Sequence, residues 1–307
     1  MPESPAHAPR SRVIAAFAAV YVIWGSTYLA IRFAVATIPP FLMAGARFLA
    51  AGAVLYAYAR ARGLTRVSRA ELRGAAIVGL FLLLLGNGAV VWAEQSVPSG
   101  ITALLVATVP VWMVVVDWLR PAGTRPRVGV FAGLGLGLAG IALLVGPGAF
   151  TGHAEFSIAA TGVLVLGSIS WAVGSIYARH APRPASAITS NAVQMLAGGA
   201  ALVLVGGIAG EPARLAAAHV TARSLWSLAY LATFGSLIGF TAYTYLLEVS
   251  TPARVATYAY VNPIVAVFLG WALASEPVEM RTIAAAAVIL AGVAIITLAG
   301  TSPRRRG

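Results

Sequence analysis

Apolar positions in this chain do not alternate with polar ones at the two-residue period of a strand. They come instead in unbroken runs, separated by short clusters rich in Arg, Pro and Gly. A helix needs about 20 mostly apolar residues to cross the hydrocarbon core. Ten runs meet that length, near 13–36, 41–60, 72–93, 99–119, 127–147, 158–179, 186–208, 223–246, 253–274 and 279–300. The pattern predicts an all-α integral membrane protein of ten transmembrane helices, with short connections and no soluble domain. Residues 1–12 and 301–307 read as polar tails. The apolar stretch from Val13 to Ile31 exceeds the 7–15 residues, or about that, of a signal-peptide core, so it reads as an uncleaved first span.

Charge then orients the bundle. All 21 basic residues are Arg. With the N-terminus in the cytoplasm, sixteen fall in inner segments (Arg10, Arg12, Arg60, Arg62, Arg66, Arg69, Arg73, Arg120, Arg125, Arg127, Arg179, Arg183, Arg254 and Arg304–Arg306). Three fall in outer segments (Arg214, Arg223, Arg281), and Arg32 and Arg47 lie within spans. Cytoplasmic loops carry the excess of Arg and Lys, so both termini are expected inside. Composition agrees: 10% charged residues against about 25% in soluble domains, and a mean hydropathy of +0.87, leave too little polar surface for a soluble globule. The net charge of +12 therefore reads as loop arginine at a membrane surface, not as a nucleic-acid footprint. With no Cys, disulfides and thiolate metal sites are excluded. No phosphate-binding loop of the G-x-x-x-x-G-K-S/T kind occurs, which excludes ATP hydrolysis by that motif. Gly133, Gly135 and Gly137 read as a helix-packing stripe. The four His fall in tails or loops without metal-ligand spacing, and no cofactor is expected.

The two halves repeat. Trp24 lies 147 positions before Trp171, and Leu49–Leu55 matches Leu196–Leu202 at the same offset. Glu94, Ser96 and Pro98 lie 154 before Glu248, Ser250 and Pro252, and Leu138–Ala142 lies 152 before Leu290–Ala294. The chain divides into one unit over 13–147 and a second over 158–300. Each holds five spans, an odd number, so the second copy is inverted. Inverted repeats are a hallmark of secondary transporters, whose halves exchange conformations around a central site.

Candidate chemistry lies inside the spans. Pro110 and Pro263, 153 positions apart, each remove a helical hydrogen bond, freeing the carbonyls of Val106 and Ala259. Broken backbone at membrane depth is tolerated against protein or a water-filled cavity. The pair is expected to act as hinges flanking a central cavity between spans four and nine. Arg47 lies roughly 10 Å into the membrane from Pro40 at about 1.5 Å per residue. A guanidinium there costs at least about 2.5 kcal/mol. It either meets an anionic substrate group or gating partner, or serves as a structural Arg bonded to carbonyls or snorkelling outward. Arg32 reads as an anchor at the outer interface. Trp24, Ser26, Asn87, Thr102, Trp171, Ser175, Tyr243, Tyr258 and Asn262 offer polar or aromatic groups for an amphipathic solute. Every acid lies in a loop or near a helix end, with Asp117 and Glu276 nearest the hydrocarbon. No midplane carboxylate relay is expected, although either of those two could serve near a mouth.

Several motifs together resemble one family. Trp24-Gly25-Ser26-Thr27-Tyr28, Gly45-Ala46-Arg47-Phe48, Gly86-Asn87-Gly88, Val97-Pro98-Ser99-Gly100 and Tyr258–Ala266 with downstream Glu276 are similar to the EamA-domain members of the drug/metabolite transporter superfamily, closest to its YedA-like inner-membrane exporters. The resemblance implies two five-helix EamA repeats around a central cavity. It also implies export of small organic metabolites, amino acid-like or aromatic and cationic compounds, across a bacterial inner membrane by alternating access. The partners expected are a small-molecule substrate and membrane lipids. An integral-membrane enzyme acting on lipid-like substrates would need a cluster of acids, His or a nucleophile; a channel or sensor would need a polar filter or a soluble domain. None of these features is seen. Substrate identity, coupling ion and oligomeric state do not follow from the sequence.

Overall fold

The computed structural model describes residues 9–121, 128–145, 157–250 and 258–301. Seven helical stretches among them are long and apolar enough to cross a membrane. They are α1 (Arg10–Val35), α2 (Pro40–Ala61), α3 (Arg69–Ala93), α4 (Ser99–Leu119), α6 (Ile158–Ala178), α7 (Ala187–Ile208) and the Ala222–Tyr243 stretch of α9. Helix α9 runs on as Ala222–Tyr230, Leu231–Ile238 and Gly239–Val249. Three more apolar helices have shorter described cores: α5 (Val128–Val145), α10 (Tyr258–Ala274) and α11 (Met280–Thr301). The expected ends 127, 146–147 and 253–257 lie outside the described residues. The chain is already helical at Arg10, so α1 begins inside the segment expected to be tail. Polar side chains start four of the described helices. Ser68 and Glu71 form a reciprocal capping box for α3, and Ser157, Ser186 and Thr221 cap α6, α7 and α9. Each satisfies an N–H that hydrocarbon could not.

Helix packing carries the repeat into three dimensions. Helices α2 and α7, which occupy equivalent places in the two units, pack on each other, as do α5 and α11. Helix α1 packs on α9 and α10, while its counterpart α6 packs on α3 and α4. Such reciprocal contacts are what a two-fold relation between halves produces. Equivalent helices run in opposite directions. The C-terminal end of α1 lies beside Glu276, which also meets Ser99, and Thr37 bonds Ser224. The C-terminal end of α6 lies at the other end, where His180 meets Arg120 and Thr189 bonds the carbonyl of Leu64. We call these the glutamate end and the arginine end. Both α2 and α7 stop at a glycine in the left-handed region, Gly63 and Gly210, at the same 147-residue offset.

Small residues set the closest approaches, because van der Waals contact rather than hydrophobic force drives association between helices in lipid. A Cβ on Gly45 or Gly199 would touch the partner across α2 and α7, and one on Gly292 would lie 2.7 Å from the carbonyl of Gly133. Gly133 and Gly137 of the expected stripe thus face α11, whereas Gly135 has open space beside it.

Three features escaped sequence reasoning. A short helix, α8 (Glu211–Ala217), follows α7; the buried Glu211 accepts hydrogen bonds from the first amides of α2, Phe41 and Leu42. Three π-helical segments interrupt the spans, at Val20–Trp24, Leu80–Asn87 and Leu231–Ile238. The last two are repeat-related, and such segments concentrate at functional sites. The prolines differ as well. Helix α4 is broken at Ala107–Thr108, with Pro110 opening its second half, whereas Pro263 lies within the continuous α10. The expected symmetric pair of breaks is a single break: the ladder is interrupted at Ala107–Thr108, where Thr108 N bonds Leu105 three residues back and its carbonyl receives the first amides after Pro110.

Candidate functional site

The π segments of α1 and α9 face each other and gather the first cluster. Trp24 Nε1 donates to the carbonyl of Gly235 at 3.2 Å. Its ring lies 5.1 to 5.4 Å from those of Phe240, Tyr243 and Tyr258, centroid to centroid. The Ser26 hydroxyl donates to the carbonyl of Ile23 and lies 2.6 Å from the Tyr230 hydroxyl. Asn262, buried on α10, sets its amide 3.2 Å from the carbonyls of Tyr21 and Tyr258. Gly25 allows this assembly, since a Cβ there would lie 2.6 Å from Val265 of α10.

Arg47 enters the same region from α2. It is 4% exposed, far from the outward reach that snorkelling requires. Its Nε donates to Ser236 Oγ at 2.8 Å, and the guanidinium carbon stands 4.8 Å from the centre of the Phe48 ring. Gly235 joins the two parts: its carbonyl receives the Trp24 indole, and a Cβ on it would lie 3.0 Å from Arg47 Nη2. Arg47 Nη1 is buried without a hydrogen-bond partner among the described residues. Buried donors in native proteins are nearly always satisfied. A cation with one hydroxyl partner and a spare N–H is therefore suited to receive an anion.

A second group forms between α3 and α6. Trp171 packs on Gly86, and Ser170 donates to the carbonyl of Phe81 at 2.9 Å, both in the π segment of α3. Asn87 ends that segment with its Oδ1 buried and unpartnered. Thr102, fully buried in α4, also keeps an unpartnered hydroxyl. Ser175 is half-buried on α6. The structure thus assembles Trp24, Ser26, Arg47, Tyr243, Tyr258 and Asn262 around one locus and places Asn87 with Trp171 in another. Sequence reasoning missed Tyr230, Gly235, Ser236 and Phe240.

The expected gap between spans four and nine falls at the contact of α4 with α10. At that contact Gly100 of α4 sits against Val267 of α10, where a Cβ would lie 2.9 Å from it. A groove of about 450 Å³ lies to one side, with Leu104, Pro263, Val267, Phe268, Trp271 and Ile283 in its apolar lining. Gly100, with no side chain of its own, lets the two helices approach closely at this point. Arg32 is likewise more than a surface anchor: its Nη1 pairs with Glu276 Oε1 at 2.6 Å. Asp117 lies 3.3 Å from Arg120 at the arginine end.

Glu276 is held by further groups at the glutamate end. It accepts from Ser99 Oγ at 2.8 Å and from Ser99 N at 3.0 Å and Gly100 N at 3.2 Å, the first amides of α4, which lack partners within the helix. Ser275 before it takes a left-handed φ of 52°, at a cost of about 1–3 kcal/mol, which turns Glu276 into the bundle. Glu94, just past α3, is 3% exposed, and among the described residues neither of its oxygens has a hydrogen-bond partner. Burial, and then the charge of Glu276, push the Glu94 carboxyl well above the usual carboxylate range, against a smaller pull from Arg32. The folded chain thus binds a proton that the unfolded chain releases near pH 4.3, or about that. Stability from this site is expected to fall as pH rises above that value and through the raised one. Thermal unfolding in detergent at several pH values should show this decline, and Glu94→Gln should flatten it; equal slopes would refute the assignment.

A bundle of apolar helices with antiparallel, two-fold-related halves and a buried polar and aromatic locus between them defines a polytopic membrane transporter. The profile of the EamA-like transporter family matches residues 11–146 and again 159–298, and the chain belongs to that family. It is similar to the uncharacterized inner membrane transporter YedA of Escherichia coli (strain K12), at 42% identity over 91% of this chain and 89% of that one. It is also similar to the uncharacterized transporter YvbV of Bacillus subtilis (strain 168), at 28% identity over 94% and 92% of the two chains. A solved structure titled "Crystal structure of protein" shares the fold, with a TM-score of 0.63 and 22% identity over 95% of this chain and 99% of that one.

Proposed function

We propose that the chain is a multi-pass inner-membrane exporter of small amino acid-like solutes. It works by alternating access of two inverted five-helix units, ten spans in all, with both termini in the cytoplasm. The observation that carries this reading is the locus shared by Trp24, Arg47 and Gly235. A buried guanidinium with a spare N–H suits a carboxylate, and the neighbouring cluster of Trp24, Tyr243 and Tyr258 suits an apolar or aromatic body. The π segments and the break at Ala107–Thr108 are the backbone elements able to yield as the halves rock. Export, rather than import, is drawn from the likeness to exporters stated above. The similarity to an inner membrane transporter and the arginine bias support the membrane and the orientation.

Counterflow in proteoliposomes loaded with phenylalanine, threonine or ethidium tests the transport reading. Phenylalanine is expected to exchange, and Trp24→Ala to slow it by about tenfold, since a buried aromatic contact is worth about 0.5–1.5 kcal/mol beyond its area. Exchange of none of the three would refute the reading. Because the chain lacks Cys, topology is directly readable. Ala36→Cys and His219→Cys, both exposed at the glutamate end, are expected to react with an impermeant maleimide in intact spheroplasts. Arg66→Cys, exposed at the other end, should react only after lysis. The reverse pattern would overturn the orientation.

A further inference from the structure

Glu94 and Glu276 stand 182 positions apart in the sequence, yet both side chains are buried together at the glutamate end. The surroundings treat them unequally. Glu276 receives three hydrogen bonds from Ser99 and Gly100 and an ion pair from Arg32, all of which favour a carboxylate. Glu94 receives none. Two carboxylates beside one guanidinium leave an excess negative charge in an apolar setting, and a paired-acid site relieves this by keeping one proton. The geometry assigns that proton to Glu94. The charged or titratable groups that face it are Glu276 from the loop before α11, and Arg32 and Tyr28 from α1.

The cluster also ties together parts that must separate if this end opens. Arg32 belongs to α1, Glu94 follows α3, Ser99 and Gly100 begin α4, and Glu276 precedes α11. Opening would admit water to Glu94 and remove the burial that keeps it neutral. We propose that Glu94 is the proton-binding site of the outer gate: with its proton on, the glutamate end closes, and loss of that proton to outside water accompanies opening. In that step the Glu94 O–H bond breaks, the proton passes to water, and the carboxylate left behind shares Arg32 with Glu276. The name outer gate rests on the transport reading above; the proton site and its link to closure do not. Each pH unit between the ordinary pKa that Glu94 regains when opened to water and its raised value in the closed state shifts the balance from closed to open by up to about tenfold, or about 1.4 kcal/mol.

The test uses the full chain in lipid nanodiscs. Spin labels at Gln95→Cys and Val278→Cys, both exposed and flanking the cluster, report the distance across the gate. A single short distance is expected at acid pH, with a longer population growing as the pH is raised. Glu94→Gln, which imitates the protonated acid, should keep the short distance throughout. A pH-independent distribution in the parent chain, or the same pH response in Glu94→Gln, would overturn the proposal. Infrared titration covers the case of a variant that folds poorly. The parent should show the carbonyl band of a protonated carboxyl at neutral pH, assigned to Glu94 by its shift in Glu94→Asp and its loss in Glu94→Gln, and its absence refutes the site. Neither readout needs a transported solute. A chain that exchanged none of the counterflow probes would end the transport reading while leaving this proposal decided by its own measurements.

Discussion

Alanine at Gly79 is expected to destabilise the protein by about 2 kcal/mol, in the range of overpacking a tight contact. Its Cβ would stand 2.3 Å from the carbonyl oxygen of Gln194 and 2.9 Å from that residue's Cα. Those are backbone atoms of α7 and cannot rotate away, so α3 and α7 must part along their length. The better helix propensity of alanine returns only about 1 kcal/mol. Gly79 also leads directly into the π segment at Leu80, so the strain falls where α3 is already irregular. Gly135→Ala is the matched control, because nothing lies within 4 Å of its Cβ; it is expected to be neutral or slightly stabilising. Thermal unfolding of both variants in detergent decides the matter. Equal midpoints would mean that the α3–α7 contact is looser than the backbone distances imply.

Arg47 carries the second large effect, in the opposite direction for stability and activity. Arg47→Met removes a charge whose burial costs at least about 2.5 kcal/mol at membrane depth and which has one hydroxyl partner and an unpaired N–H. An apolar side chain of similar length is expected to leave the fold as stable or more so. Phenylalanine counterflow is expected to fall by about 10- to 100-fold, the worth of a charged hydrogen bond to a carboxylate. Arg47→Lys should recover part of the flux, since it keeps the charge but loses the planar fork. A structural arginine predicts another outcome, with stability and counterflow falling together. Unchanged counterflow in Arg47→Met would remove Arg47 from the substrate site.

Both predictions rest on features of different legibility. Arg47 stood out in the sequence because a guanidinium inside an apolar run is costly wherever the run folds. Its partner Ser236 did not, since serine in a transmembrane helix is unremarkable until its neighbour is known. Gly79 looked like any small residue, and only the approach of α7 makes it irreplaceable. Glu94 was visible as half of a repeat match with Glu248, but nothing local marked it as buried or unpaired. The repeat also misled once. Pro110 and Pro263 are equivalent in sequence, yet α4 breaks and α10 does not.

Hydropathy by itself determined that the chain is a bundle of apolar helices, each in its place along the sequence. Those properties are local, because a backbone in hydrocarbon must satisfy its own hydrogen bonds within each helix. The family followed from short motifs on the same runs. Tertiary structure alone decided which polar groups meet: Arg32 with Glu276 across 244 positions, Ser26 with Tyr230 across 204, Arg47 with Ser236 across 189. Such pairs depend on helix rotation and crossing, which glycine contacts and π segments set and which hydrophobic periodicity in an all-apolar span does not encode.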